Sequence, residues 1–441
     1  MPSRPRPTSC PRSWPTGISR SRRPGDSDDA GSPPRVEPRS ARRHRRGPVG
    51  TATNSASAGV AHTPHAAGRI RRGLSWGVPF QPPACPSARG SAVYAQDAGA
   101  LLPGNATTRF DDVALVSVAS VLPSRVTTSD DIEERLAPAL SRLKLKPGLL
   151  RRVAGVVERR NWAEGESSDE ATIAAGKQAL AEAGVDPSEI GLIINTSVTR
   201  KHLEPSVAVR LHHGLGLPSS AINFDVANAC LGFINGMSLA AGMIQSGQVK
   251  YALIVNGEDA DEIQVNTINR LVREDLDRDA FMQEFASLTL GSGAAAAVLG
   301  RASDHPEGHR IVGGVTRAAT QFYDLCVGSV DGMFTDAKAL LKGGLDLVVS
   351  AWKEARGEFA WTGMDRYITH QVSSVHTSAI VRAAKLDRGR VPVTYPHLGN
   401  VGPASIPITL AEEQKTLRRG DRVLLMGVGS GLNTGMLELA W

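Results

Sequence analysis

Apolar residues along the chain form runs of two kinds. Residues 190–198 and 251–255 are short and almost continuously apolar, which is typical of strands buried on both faces of a sheet. Residues 231–245 are apolar nearly all round, which predicts a helix with little contact with solvent. A Ser–x–x–Glu capping box at 167–170 precedes apolar residues at helical spacing, and Gly184 provides a stop, so we predict a helix between them.

The order of these elements repeats once. The predicted elements of the first half are at 112–119, 190–198, 223–226, 231–245, 251–255 and 288–299, and those of the second half are at 366–370, 391–395, 403–416 and 423–426. In each half, a strand, a loop and a helix are followed by a glycine turn and a further strand. This internal repeat predicts a duplicated α/β fold. The loops at corresponding strand ends would face each other, where α/β sheets hold their sites.

Residues 1–100 differ from the rest of the chain in composition. They contain 16 Arg, no Lys, five acidic residues and 15 of the 27 prolines, so their net charge is +11. The whole chain carries +6, which leaves −5 for the remainder. So few apolar residues cannot offset the entropy of an ordered chain, and we predict a disordered tail over 1–104. The alternatives are a leader translated from a start placed too far upstream, or a basic arm that binds nucleic acid or anionic lipid.

Several classes of protein are excluded by what the sequence lacks. No apolar run approaches 18 residues and none follows the arginines, so we expect a cytoplasmic protein without a membrane span or secretory signal. The four cysteines form no CxxC pair and do not cluster with histidine, so we expect neither a disulfide framework nor a metal site.

Cys230 is the strongest candidate for a nucleophile. It lies between a predicted strand and a predicted buried helix, where the helix dipole and free backbone N–H groups favour the thiolate. The alternative is a small buried residue, as most free cysteines are. Cys326 has no such junction, and we interpret it as buried and structural.

Three other positions follow predicted strands or precede helices. His370 ends the strand at 366–370 and is either a proton-transfer group or structural. Asn400 precedes a helix, where it is either an N-cap or an amide aimed at an oxyanion. Ser430 lies among three glycines after the last buried strand. That turn either only reverses the chain or directs a backbone N–H into a site, and its spacing is not a dinucleotide fingerprint.

Three strings together carry a family resemblance: DVANACLGF at 225–233, HQ at 370–371 and GNVGPASIP at 399–407. They resemble the thiolase superfamily and, within it, the 3-oxoacyl-ACP synthase III branch, over residues 108–441. The resemblance implies a five-layered αβαβα fold built from duplicated halves at 105–305 and 306–441. It also implies a catalytic triad of Cys230, His370 and Asn400, with the backbone N–H groups of Cys230 and Ser430 as the oxyanion hole.

Four further strings narrow the resemblance: INTSV at 194–198, LEPS at 203–206, FINGM at 233–237 and GSGLN at 429–433. They resemble the OleA type of acyl-CoA:acyl-CoA alkyltransferase, in which a glutamate from the partner subunit of a homodimer enters the site. This implies that Glu204 is the base that removes an α-proton from one fatty acyl-CoA. The reaction would be a non-decarboxylative Claisen condensation through acyl-Cys230, the first step of long-chain olefin or related lipid biosynthesis. CoA thioesters would be substrates, and no cofactor is implied.

Three other functions stay open at this point. One is a decarboxylating 3-oxoacyl-ACP synthase III, and Ser373 departs from that branch, which usually has Asn at the position. Another is the condensing subunit of a β-lactone pathway, working with a paralogous partner. The third is a nucleic-acid-binding protein acting through the basic tail, against which the charge of −5 on the remainder argues. The acidic segment 258–284 is either a solvated helical insertion or a cap over an alkyl channel.

Overall fold

The computed structural model describes residues 107–441, and the predicted tail at 1–104 lies outside them. The strands are β1 Thr107–Arg109, β2 Ala114–Val121, β3 Arg125–Thr128, β4 Glu158–Asn161, β5 Ile190–Asn195, β6 Ile222–Asp225, β7 Tyr251–Glu258, β8 Gly293–Gly300, β9 His309–Ala318, β10 Cys326–Ser329, β11 Gly332–Thr335, β12 Arg366–Thr369, β13 Arg422–Gly429 and β14 Asn433–Ala440. The α-helices are α1 Ser129–Arg135, α2 Ala137–Arg142, α3 Leu149–Ala154, α4 Ser168–Ala183, α5 Val207–Leu215, α6 Gly232–Gln245, α7 Asp261–Arg273, α8 Arg278–Glu284, α9 Ala337–Ala355, α10 Ser374–Ala384, α11 Tyr395–Leu398 and α12 Ser405–Glu413.

Ten strands form one mixed sheet with two similar halves. Its order is β6-β5-β7-β8-β2-β9-β14-β13-β12, with β1 beside β9. The halves meet at β2 and β9 through two residue pairs, Ala114–Arg310 and Leu115–His309. On either side, a parallel pair is followed by antiparallel neighbours: β5, β7, β8 and β2 in one half, and β12, β13, β14 and β9 in the other. The duplicated α/β fold predicted from the internal repeat is confirmed.

The helices complete five layers. Helices α6 and α12 pack between the two half-sheets and share one apolar core with both of them. Helices α4 and α5 cover the outer face of the first half-sheet, and α9 and α10 cover the outer face of the second. The sequence of β5 is continuously apolar because both of its faces are buried: Leu192 and Ile194 face the central layer, and Ile193 faces the outer layer.

Two predicted strands differ from the structure. The strand predicted at 391–395 is wrong, because this stretch makes no strand pairing and enters α11 at Tyr395. Pro392 has no N–H for a ladder. The side-chain oxygen of Gln371 accepts hydrogen bonds from the backbone N–H groups of Thr394 (2.8 Å) and Tyr395 (3.4 Å), in place of a neighbouring strand. The strand predicted at 288–299 begins only at Gly293, after a 3₁₀ turn.

The acidic segment 258–284 is mainly helical. It forms α7 and α8, which pack on α1, α2 and α3 through a separate apolar cluster that includes Ile132, Leu136, Ile268 and Phe281. Within residues 107–441, no helix combines the length and the apolar character that crossing a bilayer requires.

Candidate active site

A cavity of about 610 Å³ lies at the carboxyl ends of β5, β6, β7, β12 and β13, between the two halves of the fold. Cys230, His370, Asn400 and Ser430, four positions selected from the sequence, all line it. The volume is typical of small-molecule sites. The remaining wall is largely apolar and includes Ile263, Leu290, Met333, Leu340, Leu341, Leu345, Val348, Ile380, Met426, Val428 and Leu432.

Cys230 lies in a short 3₁₀ turn that leads directly into α6. The residue before it, Ala229, has a φ of +44°, which is uncommon for a residue with a side chain and marks local strain. The sequence predicted that the helix N-terminus would favour the thiolate, and the structure gives the opposite balance. Burial, reinforced by Cys326 and Glu258, raises the pKa of the Cys230 thiol to about 12.

The turn that contains Ser430 lies against the Cys230 loop. A Cβ placed on Gly429 would come within 3.0 Å of the carbonyl oxygen of Asn228 and 3.3 Å of the backbone nitrogen of Leu231. A side chain here would require the loop to shift by a few tenths of an ångström, so glycine favours this close approach of strand β13 in the second half to the Cys230 loop in the first. The side-chain amide of Asn433 also donates to the side-chain oxygen of Asn228 at 3.1 Å.

His370 is buried and neutral. Its backbone N–H donates to the carbonyl of Met426 at 2.8 Å, which fixes the position at the end of β12. Burial, with a smaller contribution from His376, lowers the pKa of His370 to about 3. Its Nδ1 has no hydrogen-bond partner among residues 107–441. A neutral imidazole in the cavity provides one N–H donor and one acceptor nitrogen.

Asn400 is not the N-cap considered from the sequence, since Val401 precedes the 3₁₀ turn Gly402–Ala404 and Ala404 precedes α12. Its Oδ1 instead accepts the backbone N–H of Gly402, two residues on, at 3.0 Å. Since this contact uses the oxygen, the Nδ2 amide is the group left to donate into the cavity. The backbone of Asn400 is fixed by hydrogen bonds of 2.9 Å to the carbonyl of Thr289 and from the N–H of Gly291.

The sequence analysis missed other residues of the cavity wall. His376 lies in the first turn of α10, and its Nδ1 is 2.9 Å from Oγ of Ser373. Burial lowers the pKa of His376 to about 4. Cys326, which we interpreted as structural, is half-buried on the same wall, with its Sγ 3.5 Å from Oγ1 of Thr335. No sequence signal distinguished these two side chains.

Glu258 is the most conspicuous omission. It ends β7, is only 3% exposed and lines the cavity. Burial raises its pKa to about 7, although hydrogen bonds to Val198 and Thr199 act in the opposite direction. A signal was present, since Glu258 follows a buried strand at the carboxyl edge of the sheet. The sequence analysis treated Glu258 only as one of the acidic residues of segment 258–284.

Glu204 is not brought to the cavity of its own chain. It is exposed, and it makes no hydrogen bond or ion pair with any residue of the described range 107–441. The neighbouring Leu203 is 90% exposed and lies at the cavity wall. The structure of one chain therefore brings together Cys230, His370 and Asn400 and leaves Glu204 outside.

Comparison with known proteins identifies the family to which this cavity and its residues belong. Residues 224–319 match the 3-oxoacyl-[acyl-carrier-protein] synthase III family, and residues 355–441 match the C-terminal region of that family. The chain is 41% identical over 336 residues to the acyl-CoA:acyl-CoA alkyltransferase of Xanthomonas campestris pv. campestris, covering 75% of this chain and 99% of that one. It is 33% identical over 349 residues to the enzyme of the same name from Shewanella oneidensis, covering 76% and 100%.

The solved structures agree with the sequence relatives. A crystal structure of a cysteine-to-serine variant of Xanthomonas campestris OleA, with bound lauric acid and lauroyl-CoA, superposes with a TM-score of 0.73 at 40% identity. The match covers 75% of this chain and all of the other. The five-layered thiolase-like fold implied by the sequence resemblance is confirmed.

Proposed function

The chain belongs to the acyl-CoA:acyl-CoA alkyltransferase family, and from this premise we propose that it joins two fatty acyl-CoAs by Claisen condensation without decarboxylation. The product is a 2-alkyl-3-ketoacyl compound, the first intermediate of long-chain olefin or related lipid biosynthesis. The observation that carries this proposal is the single cavity in which Cys230, His370 and Asn400 meet a largely apolar wall. The polar groups suit thioester chemistry, and the wall suits alkyl chains.

In the first half-reaction, Cys230 takes the acyl group from one acyl-CoA. Because its pKa is about 12, the thiol is protonated at neutral pH, and its proton must leave as sulphur attacks the thioester carbon. Neutral His370 accepts that proton on the imidazole nitrogen that carries no hydrogen. The C–S bond to CoA then breaks, and the departing CoA thiolate takes the proton. The backbone N–H groups of Cys230 and Ser430 stabilise the tetrahedral oxyanion.

In the second half-reaction, another acyl-CoA becomes the carbon nucleophile. It has no carboxylate to lose, so an α-proton must be removed by a base. Glu204 of the partner subunit takes this proton, while Nδ2 of Asn400 stabilises the enolate oxygen. The enolate carbon attacks the acyl carbonyl on Cys230, a C–C bond forms, and the Cys230 sulphur departs and takes the proton that Glu204 removed. Hydrolysis of the remaining thioester gives the 2-alkyl-3-keto acid.

This division of labour requires a homodimer. Strand β6 ends the sheet, and one of its edges is unpaired among residues 107–441. Ile222 on β6 and Val209 on the adjacent α5 are exposed apolar residues. Unpaired edges with apolar neighbours favour pairing with a second copy of the chain. Segment 198–206 emerges beside β6, so pairing there would carry Glu204 towards the partner. Residues 105–305 thus supply Cys230 and Glu204, and residues 306–441 supply His370 and Asn400.

The decarboxylating synthase is the second candidate, since the family matches over 224–319 and 355–441 carry that description. One incubation separates the two functions. Purified protein with a long-chain acyl-CoA alone should give the 2-alkyl-3-keto acid, identified by mass. The control replaces half of the acyl-CoA with malonyl-ACP. A product that forms only when malonyl-ACP is present would reject the proposal and favour the decarboxylating synthase.

A further inference from the structure

One end of the segment that carries Glu204 is held by the buried carboxylate of Glu258. The backbone N–H of Val198 donates to Oε1 of Glu258 at 2.9 Å. The backbone N–H of Thr199 donates to Oε2 at 3.1 Å, and Oγ1 of Thr199 donates to the same oxygen at 2.7 Å. Oγ1 of Thr199 also accepts the N–H of Asp259 at 2.8 Å, so its own hydrogen is directed to Glu258. Both oxygens of Glu258 are therefore occupied as acceptors.

The other end of the segment is held by a second carboxylate. Asp225 ends β6, and its side chain is 10% exposed. Its Oδ2 accepts the N–H of Val207 and its Oδ1 accepts the N–H of Ala208, each at 3.0 Å, at the start of α5. Nδ2 of Asn195 donates to Oδ1 at 3.2 Å and steadies the carboxylate.

Between these two anchors, Nη1 of Arg200 lies 3.7 Å from Oδ2 of Asp225 and forms an ion pair with it. The side chains of residues 201–205 make no hydrogen bond or ion pair with the rest of the described chain, and all five residues are exposed. The position of Glu204 relative to its own subunit is therefore set by the anchors and the short chain between them. Charge-assisted hydrogen bonds of this kind are stronger than neutral ones and fix geometry well.

Taking the proposed function as its basis, we propose that Glu258 and Asp225 are positioning residues that hold segment 198–206 so that Glu204 reaches the cavity of the partner subunit. Through segment 198–206, each carboxylate therefore acts on the catalytic site of the partner subunit. Neither carboxylate takes part in proton transfer from Cys230 of its own chain, which is the role of His370. The alternative is that Glu258 acts as a base in its own cavity. The three hydrogen bonds that its two oxygens already accept argue against this.

A mixed dimer with one competent site separates these roles. One protomer carries Cys230→Ala and supplies Glu204, and the other carries Glu204→Ala and supplies Cys230. Glu258→Gln is then added to either protomer, because a glutamine directs its NH₂ at a donor of Thr199 or Val198. Condensation should fall by about 10²-fold, the usual effect of misplacing a reacting group by about 1 Å, when the change is in the protomer that supplies Glu204. When Glu258→Gln is in the protomer that supplies Cys230, the loss of condensation should be at least tenfold smaller.

Acylation of Cys230 is the control for folding, because a general loss of structure would lower acylation as well as condensation. Release of the first CoA should persist in both arrangements, because thioester exchange onto Cys230 does not use Glu204. Thr199→Val, which removes one of the three donors, should show the same asymmetry with a smaller loss. Thr199→Ser retains the hydroxyl and should restore condensation. These variants keep the test decisive if Glu258→Gln fails to fold.

Two results would overturn the inference in distinguishable ways. Equal losses in both arrangements, or a greater loss in the protomer that holds Cys230, would assign Glu258 to its own cavity. An inactive mixed dimer of Cys230→Ala and Glu204→Ala alone would reject donation of Glu204 across the interface. That second result would remove the proposed arrangement of the dimer together with the inference.

Discussion

Leu231 packs so closely against Gly427 that a Cβ on the glycine would lie 2.6 Å from Cδ1 of the leucine. Leu231 directly follows Cys230, whereas Gly427 belongs to β13 in the other half of the fold. The loop that carries Cys230 in one half is therefore positioned by packing against Gly427, which has no side chain, in the other half.

Gly427→Ala should consequently displace the Cys230 loop. Inserting a methyl group into a packed core costs about 1–3 kcal/mol, so the free energy of unfolding should fall by that amount. The rate of Cys230 acylation should fall with it. Gly242→Ala is the matched control, since Gly242 lies in α6 and has open space where a Cβ would go. Chemical denaturation and a CoA-release assay would measure both effects, and equal behaviour of the two variants would contradict the packing argument.

Glu204→Ala should separate the two half-reactions. Acylation of Cys230 and release of the first CoA should stay close to wild type, because neither step needs this carboxylate. Formation of the condensed product should fall by roughly 10²–10⁴-fold, the usual effect of losing a positioned general base. Glu204→Asp should recover part of the rate, since the carboxylate remains but is one methylene shorter. An unchanged rate of condensation in Glu204→Ala would remove the base assignment.

The thiol of Cys230 should react slowly with iodoacetamide at neutral pH. Its pKa of about 12 leaves very little thiolate there, and the rate of alkylation should rise about tenfold per pH unit between pH 7 and pH 9 without reaching a plateau. Peptide mapping by mass spectrometry assigns the modified cysteine. In the same maps, an acyl-CoA should leave its adduct on Cys230. A rate that levels off below pH 8 would restore the low pKa expected from the helix dipole.

Glu258 should make the stability of the folded chain depend on pH in a defined window. Burial raises its pKa from 4.5 to about 7, so between these values the folded state binds more protons than the unfolded state. The free energy of unfolding should therefore fall as pH rises from 4.5 to 7, and the full loss should persist above pH 7. A shift of this size corresponds to roughly 3 kcal/mol.

Glu258→Gln lacks this titration, so its difference in stability from wild type isolates the group. Denaturation curves of both proteins at pH 5, 6, 7 and 8 would show the difference shrinking or changing sign across the window. Two curves that stay parallel at every pH would mean that Glu258 keeps an ordinary pKa.

The sequence by itself determined the duplicated α/β architecture and singled out Cys230, His370 and Asn400, which line one cavity in the structure. Continuous apolar runs such as 190–198 can only be strands covered on both faces, and their repetition required a duplicated fold. Helix boundaries also follow from local chemistry, as at α4, where Ser167 accepts the N–H of Glu170 and Gly184 ends the helix with a positive φ. The strings around Cys230, His370 and Asn400 indicated one site through their resemblance to the 3-oxoacyl-ACP synthase III branch, whereas the position of each residue alone left a structural role open.

Tertiary structure decided what depends on distant neighbours. The pKa of Cys230 is raised by burial and by Cys326 and Glu258, neighbours that the local sequence around the cysteine does not show. Residues 391–395 have the pattern of a strand, but the distant Gln371 takes the hydrogen bonds that a neighbouring strand would have made. Glu258 looked like one of many surface acids until folding placed Val198 and Thr199 against it. In each case the deciding contact joins residues far apart along the chain, and desolvation and hydrogen-bond competition depend on that proximity.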